Sequence, residues 1–306
     1  MEGKTHKTVI IAGYSCNNRC IFCCNEDKRE KYRDKSTAEI KSDMLNAREH
    51  GSTYLELIGG EPTIRRDIIE LVEFAKMINF DIIMFSTNGR MFSYKKFAEK
   101  IIDAGLNSVV FSIHGHTPKL HDSLTMATGS FNQLVKGIEN VRNLGIKNVG
   151  SNTTISKQNY KFLPKIGNFI NDLNFINAEF IFVDPTHGAP KNNFFKIVPK
   201  ISEIAPYVHK CLDIGKGRRN SHWQIRYYPL CYLRGYENQI SEVDEISRFH
   251  TIHLAPDFKN FDVGKSRRDN GRTKTEKCQE CKHYKICEGI WKEYLKRYGD
   301  CELKPQ

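Results

Sequence analysis

Thr8-Val9-Ile10-Ile11-Ala12-Gly13-Tyr14-Ser15-Cys16-Asn17-Asn18-Arg19-Cys20-Ile21-Phe22-Cys23 begins as a short β-branched apolar run and ends in cysteines spaced Cys-x3-Cys-x2-Cys. The run reads as a strand, which places the thiols in the loop at its carboxyl end. Only three thiolates are offered, whereas a cubane cluster has four irons. A cluster held by cysteine on three irons leaves the fourth open to a substrate or cosubstrate, while an electron-transfer cluster is ordinarily closed by four thiolates. The plainer alternative is a zinc site completed by Cys24 or a distant histidine, although structural zinc ligands usually come as paired Cys-x2–4-Cys or histidine hairpins. Cys24, next to Cys23, reads as a small buried hydrophobe.

The strand-then-helix alternation begun here continues through the first two thirds of the chain, the pattern of βα units and a parallel sheet. Candidate strands are 8–12, 54–58, 81–86, 108–112, 148–154 and 179–183. Ser36 with Glu39 reads as a capping box opening a helix over 37–50, and Gly51 closes it. Further helices fit 67–77, 94–104, 129–144 and 159–173. The alternation gives way at Pro185-Thr186-His187-Gly188-Ala189-Pro190, which places a domain boundary at about residue 190, between 1–190 and 191–306.

Strand two ends in Gly59-Gly60-Glu61-Pro62-Thr63, on its own only a turn. The triplet, with Phe22 before its last cysteine, resembles the signature of the radical S-adenosylmethionine (radical SAM) enzymes, and Gly59 to Pro62 is similar to that family's Gly-Gly-Glu-Pro motif. The resemblance implies an α/β fold, a partial (βα)6 TIM-like barrel that carries function in the loops at its strand ends. It also implies a 4Fe-4S cluster on Cys16, Cys20 and Cys23 whose open iron binds SAM. One electron from the cluster then cleaves SAM to a 5′-deoxyadenosyl radical.

On this resemblance Gly59 and Gly60 let the backbone approach SAM, and Glu61 is a structural and ammonium-facing carboxylate. Ser86, Asn88 and Ser112 hold ribose and carboxylate, Asn152 and Val183 fall where the family contacts ribose and adenine, and Phe22 packs near the adenine. Polar residues at strand ends also cap helices, and an aromatic beside a cluster is also core filling. His114, His116 and His121 have the chemistry of metal ligands. The run 112–125 instead resembles a segment lining the substrate side in radical SAM proteins of the SPASM and twitch groups. No catalytic side chain is assigned.

A second cysteine group, Cys278-x2-Cys281-x5-Cys287, resembles the auxiliary-cluster tails of the same enzymes. Trp291 stands where a full SPASM domain would place a further cysteine, which favours the shorter twitch form with one auxiliary 4Fe-4S cluster. The expected ligands are Cys231, Cys278, Cys281 and Cys287, with Cys301 able to replace Cys231 and Cys211 able to pair with it. Zinc remains the alternative, since Cys-x2-Cys is also half of a zinc knuckle.

A hydrophobic content of 39% in 306 residues is that of a globular chain with a real core. No stretch of eighteen apolar residues occurs and no signal-like start precedes the first strand, so a cytoplasmic protein without a membrane span is expected. In that setting ten cysteines argue for clusters over disulfides. The net charge of +11 is spread in short groups without interleaved aromatics, which argues against nucleic acid as a partner and against the other class weighed, a non-catalytic iron-sulfur or zinc nucleic-acid-binding protein. The expected function is radical SAM oxidoreductase or maturase chemistry, with an external one-electron donor of flavodoxin or ferredoxin type. The first-choice substrate is a ribosomally made peptide. Radical oxidation or rearrangement of a small molecule (a sugar, nucleotide or cofactor precursor) is the alternative.

Overall fold

The computed structural model describes residues 3–219 and 221–306. All six expected strands form: β1 (Thr5–Ile11), β2 (Tyr54–Ile58), β3 (Ile82–Thr87), β4 (Ser108–Ser112), β5 (Asn148–Ile155) and β6 (Asn177–Phe182). The helices between them are α1 (Thr37–Glu49), α2 (Ile68–Met77), α3 (Lys95–Asp103), α4 (Pro118–Thr125), α5 (Ser130–Asn143) and α6 (Leu163–Asp172). Of these, α4 was not among the expected helices; Thr117 caps it and Pro118 opens it, signals that sat inside the stretch read as a motif. The capping box of α1 is present, with Ser36 Oγ accepting from Glu39 N at 3.3 Å and Glu39 Oε2 accepting from Ser36 N at 2.7 Å.

Beyond β6 the chain forms α7 (Gly188–Asn192), α8 (Phe194–Ile197), α9 (Ile201–Lys216), β7 (His222–Arg226), α10 (Ser241–Arg248), β8 (Phe249–Leu254) and β9 (Lys259–Asn260). The sheet order is β7-β6-β5-β4-β3-β2-β1-β8-β9, with β1 to β8 parallel and only the two-residue β9 antiparallel. The sheet therefore draws strands from both sides of residue 190, and two parallel strands flank the six expected repeats. This is the partial TIM-like barrel. The tail adds α11 (Val263–Ser266), β10 (Arg272–Thr273), β11 (Ile290–Trp291) and α12 (Lys292–Tyr298).

The alternation along each strand explains the architecture. Outward residues Leu55, Leu57, Phe85, Val109 and Phe111 are fully buried with Ile40, Met44, Leu71, Ile101, Leu134 and Ile166 from the surrounding helices. Each such side chain contributes about 1.5–3 kcal/mol. Inward residues are mixed, with Lys7, Glu56, Ser86, Ser112, Asn152, Glu179 and Arg226 facing the lumen beside Val9, Met84, Val110 and Ile181. Polar lumen residues hid the last two strands from sequence reading: His222, Gln224 and Arg226 on β7 and Thr251 and His253 on β8 interrupt what would otherwise be apolar runs.

Among the described residues β7 and β8 do not pair with each other. Side chains join this seam through α10. Arg226 donates to Glu245 at 2.7 Å and to Glu179 at 2.7 Å, and Arg267 bridges Glu245 at 3.2 Å to Glu288 at 2.7 Å. Among the described residues no helix is long and apolar enough to cross a membrane.

Candidate active site

A cavity of about 1280 Å³ runs the height of the barrel, from Thr5 and Asn148 at the amino ends of the strands to Cys16, Gly60 and Asn88 at their carboxyl ends. Cys16, Cys20, Cys23, Gly59, Gly60, Glu61, Ser86, Asn88, Ser112 and Asn152 all border it. Phe22 and Val183 are buried behind it, with the Phe22 ring edge-on to His114 at 4.7 Å.

The cysteine loop is tied down by its own polar atoms and by arginines. Cys16 Sγ accepts from Asn18 N at 3.4 Å, and Cys23 Sγ accepts from Arg29 Nη2 at 3.5 Å. Arg19 donates to Cys16 O at 2.7 Å, and Arg90 donates to Asn17 O and to Asn18 Oδ1. Burial, followed by the neighbouring Cys23 and Cys16 thiols, pushes Cys20 up to about 12, and burial also raises Cys16. The Cys16 and Cys20 thiols therefore stay protonated until a metal displaces the protons, so ligation and proton release are coupled.

Gly59 and Gly60 do their work at the join between strands. A Cβ at Gly59 would run into Gly13 O, and one at Gly60 into Ser15 O. Their bareness lets Gly60 N donate to Gly13 O at 2.9 Å and Glu61 N donate to Ser15 O at 2.9 Å. The Glu61 carboxylate, 2% exposed, accepts from Thr63 Oγ1 at 2.6 Å, Thr63 N at 3.2 Å, Thr87 Oγ1 at 2.7 Å and Asn88 N at 2.7 Å. Burial raises its pKa and these four bonds oppose the rise. Glu61 is thus a staple between the ends of β2 and β3.

Asn88, held by that staple, donates to Asn17 Oδ1 at 2.7 Å and so reaches the cysteine loop. Ser86 donates instead to Glu56 at 2.6 Å, and Glu56 pairs with Lys7 at 2.6 Å. Ser112 and Asn152 are register partners on β4 and β5 and face the cavity side by side. Two of the three histidines serve the backbone, His114 Nδ1 accepting from Thr154 N and His121 Nδ1 from His114 N, both at 3.3 Å, while His116 lies against Phe162 with no hydrogen-bond partner for Nδ1 among the described residues. Burial, with His121 adding to it, lowers His114 to about 3, and burial lowers His121 to about 4 against the pull of Asp122. Both are neutral at physiological pH.

A family model of the Radical SAM superfamily matches residues 10–168, which spans this loop, the Glu61 staple, the end of β1 and β2 to β5. The chain belongs to the radical SAM superfamily. A protein of Sulfolobus acidocaldarius named "Probable GTP 3',8-cyclase" is 28% identical over 218 residues, covering 71% of this chain and 68% of that one. One of the same name from Saccharolobus solfataricus is 29% identical over 225 residues, covering 71% and 69%. Streptococcus suis SuiB bound to precursor peptide SuiA superposes with a TM-score of 0.67 at 19% identity, over 96% of this chain and 73% of that one. Native anSMEcpe with bound AdoMet gives 0.68 at 14%, over 98% and 92%. At those identities the solved structures speak for the fold.

Membership of the radical SAM superfamily implies a 4Fe-4S cluster and SAM. The donor set suits them: three thiols at one mouth of a polar cavity, two of their sulfurs already accepting N–H bonds of the kind that tune such clusters. Among the described residues no three His, Cys, Asp or Glu side chains converge at single-ion distance.

In the tail of this radical SAM chain, burial and then the Cys287 and Cys278 thiols raise Cys231 to about 11, while Lys304 N–H opposes the rise. Cys231 is therefore within electrostatic reach of Cys278 and Cys287. Cys281 N donates to Cys278 O at 3.0 Å, and Gly289 N donates to Cys287 Sγ at 3.3 Å. Gly289 has φ +79°, and a Cβ there would strike Thr273 O, so the turn beside Cys287 needs glycine. Cys211 is elsewhere, buried between α9 and α6 where a Cβ on Gly167 would come within 2.8 Å of it, and Cys301 is exposed. Sequence reading missed Arg29, Arg90 and the Arg226–Glu245–Arg267–Glu288 chain, all of which act through tertiary contacts. The only local signal was an excess of arginine beside the cysteine triplet.

Proposed function

We propose that this chain is a radical SAM oxidoreductase acting on a small polar molecule held in the barrel lumen. The cavity wall carries the reading: Lys7, Glu56, Asn152, Glu179, Arg226 and His253 face it, and together they offer charges of both signs and polar side chains that match a polar substrate. The Sulfolobus and Saccharolobus relatives, named for action on GTP, favour a nucleotide within this class. A peptide, the first choice on sequence, keeps support from the likeness to SuiB in complex with a peptide, which runs over almost the whole chain.

Cys16, Cys20 and Cys23 would hold the 4Fe-4S cluster, which with SAM supplies a 5′-deoxyadenosyl radical able to take a hydrogen atom from substrate. The protein's share is placement and exclusion of water. Glu61 fixes the Asn88 loop against the cysteine loop, Ser112 and Asn152 offer polar groups on the facing wall, and Phe22 with His114 closes the space behind the triplet. Cys231, Cys278, Cys281 and Cys287 are proposed as ligands of one auxiliary 4Fe-4S cluster of the twitch kind in the 191–306 part. A flavodoxin or ferredoxin type protein would supply the reducing electron.

Anaerobic reconstitution tests this reading. About eight irons per chain and reductant-dependent release of 5′-deoxyadenosine are expected, with release stimulated by a nucleotide panel more than by peptides. Stoichiometric zinc without SAM turnover would overturn the enzyme assignment. Stimulation by peptides alone would overturn the choice of substrate.

A further inference from the structure

Six residues past the last cysteine of the triplet, Arg29 returns to it. Its Nη2 donates to Cys23 Sγ at 3.5 Å, and its Nη1 donates to Asn18 O at 3.1 Å. Asn18 N in turn donates to Cys16 Sγ at 3.4 Å, so one guanidinium is linked to both ends of the triplet. Its Nε is buried without a hydrogen-bond partner among the described residues, and the side chain borders the cavity.

The neighbouring cations are spent differently. Lys28 pairs with Asp257 at 2.7 Å, Lys31 with Asp27 at 3.3 Å and Arg33 with Glu39 at 2.7 Å. Arg19 gives its bonds to oxygen atoms of the loop, and Arg90 divides its bonds between oxygen atoms of the loop and Gln133 Oε1. Among the described residues Arg29 is the charged side chain that donates to a sulfur of the triplet, and it has no carboxylate within salt-bridge distance.

We propose that Arg29 is a positioning residue that raises the reduction potential of the cluster on Cys16, Cys20 and Cys23, by directing an N–H and an unneutralised positive charge at the Cys23 sulfur. The inference rests on the cluster assignment made above. Reduction adds one electron from the external donor, with no bond made or broken, and its charge spreads over irons and sulfurs. A cation and an N–H bond at a ligand sulfur stabilise that added charge more than the oxidised state. Removing them makes the cluster harder to reduce.

The test is a redox titration of the full-length reconstituted protein, followed by electron paramagnetic resonance without SAM, in a Cys281→Ala background that leaves the triplet cluster as the signal. A signal that survives Cys20→Ala would defeat the cluster assignment itself. With that control met, poise is set where half of the parent clusters are reduced. Arg29→Met is expected to lower the reduced-to-oxidised ratio about tenfold, equal to about 59 mV for one electron. Arg29→Lys, which keeps the charge, should show less than half of that shift. A ratio for Arg29→Met within twofold of the parent overturns the proposal, as it would if Arg29 served only to hold SAM. Should Arg29→Met fail to load iron, Arg29→Gln against Arg29→Lys decides: a lower ratio in the uncharged variant supports the proposal, and equal ratios overturn it.

Discussion

Cys16, Cys20 and Cys23 lie on one short loop pinned by its own Arg19 and by Arg29, Arg90 and Asn88, whereas Cys231 sits on a turn far along the chain from Cys278 and Cys287. In the first region the thiols are adjacent by sequence and the fold supplies orientation. In the second the fold has to bring the thiols together, and the tail is fastened by buried charge, with Arg267 joining Glu288, the residue after Cys287, to Glu245 of α10. A locally encoded site is broken by losing a ligand. A site assembled across the chain can also be broken by losing a fastening that touches no ligand sulfur.

The largest expected effect separates the two groups by function. Cys20→Ala should reduce 5′-deoxyadenosine release to background, while Cys281→Ala should retain cleavage within about tenfold of the parent but form no product, measured chromatographically. Equal loss in both would erase the distinction.

Next, Arg267→Met leaves Glu288 buried and unpaired, which costs about 3–5 kcal/mol in urea denaturation, and replacing both partners by apolar residues should recover most of it. The single variant should also lose iron from the tail before the triplet. Iron lost first from the triplet would reverse the comparison. On the barrel side, Thr87→Val removes one of the four donors to the Glu61 carboxylate and should cost about 1.5–3 kcal/mol, with weakened SAM binding by calorimetry. Unchanged stability would show that the staple is redundant.

The smallest effect is in pH. His114 is held at about 3, His121 at about 4 and His253 at about 4, burial being the leading cause in each. Unfolded histidine protonates near 6.5. These depressed values stabilise the fold above about 6.5, and the contribution is lost as pH falls toward 4, by about 1.4 kcal/mol per unit for each histidine at most. All three lie on barrel elements, so urea midpoints should decline across that window in the parent and less steeply in His121→Phe. A flat profile would refute the assignment of neutral buried imidazoles.

Much of the barrel is legible in sequence because its outward strand faces are apolar at period two and its helices are capped, as at Ser36. Strands β7 and β8 escaped because a lumen built for polar contact replaces alternate positions with histidine, glutamine and arginine, which breaks the apolar run that marks a parallel strand. The triplet and the Gly59–Gly60 turn were readable as motifs. Their physical roles were not: Gly59 and Gly60 make room for the Gly13 to Ser15 backbone, and Glu61 meets donors from β3 that sequence does not place beside it. Spacing alone left Cys211, Cys231 and Cys301 as rivals in the tail. Helix packing buries Cys211 elsewhere, information that belongs to the fold as a whole.

The distance along the chain between Cys231 and Cys287 has a consequence in time. The triplet is complete once its first loop has left the ribosome, but the tail thiols can close around a metal only after the last barrel strands have set the turn that carries Cys231. On the proposed ligand sets maturation would therefore have an order, with the amino-terminal cluster free to form on a partial chain and a carboxyl-terminal one acting as a seal on a finished molecule.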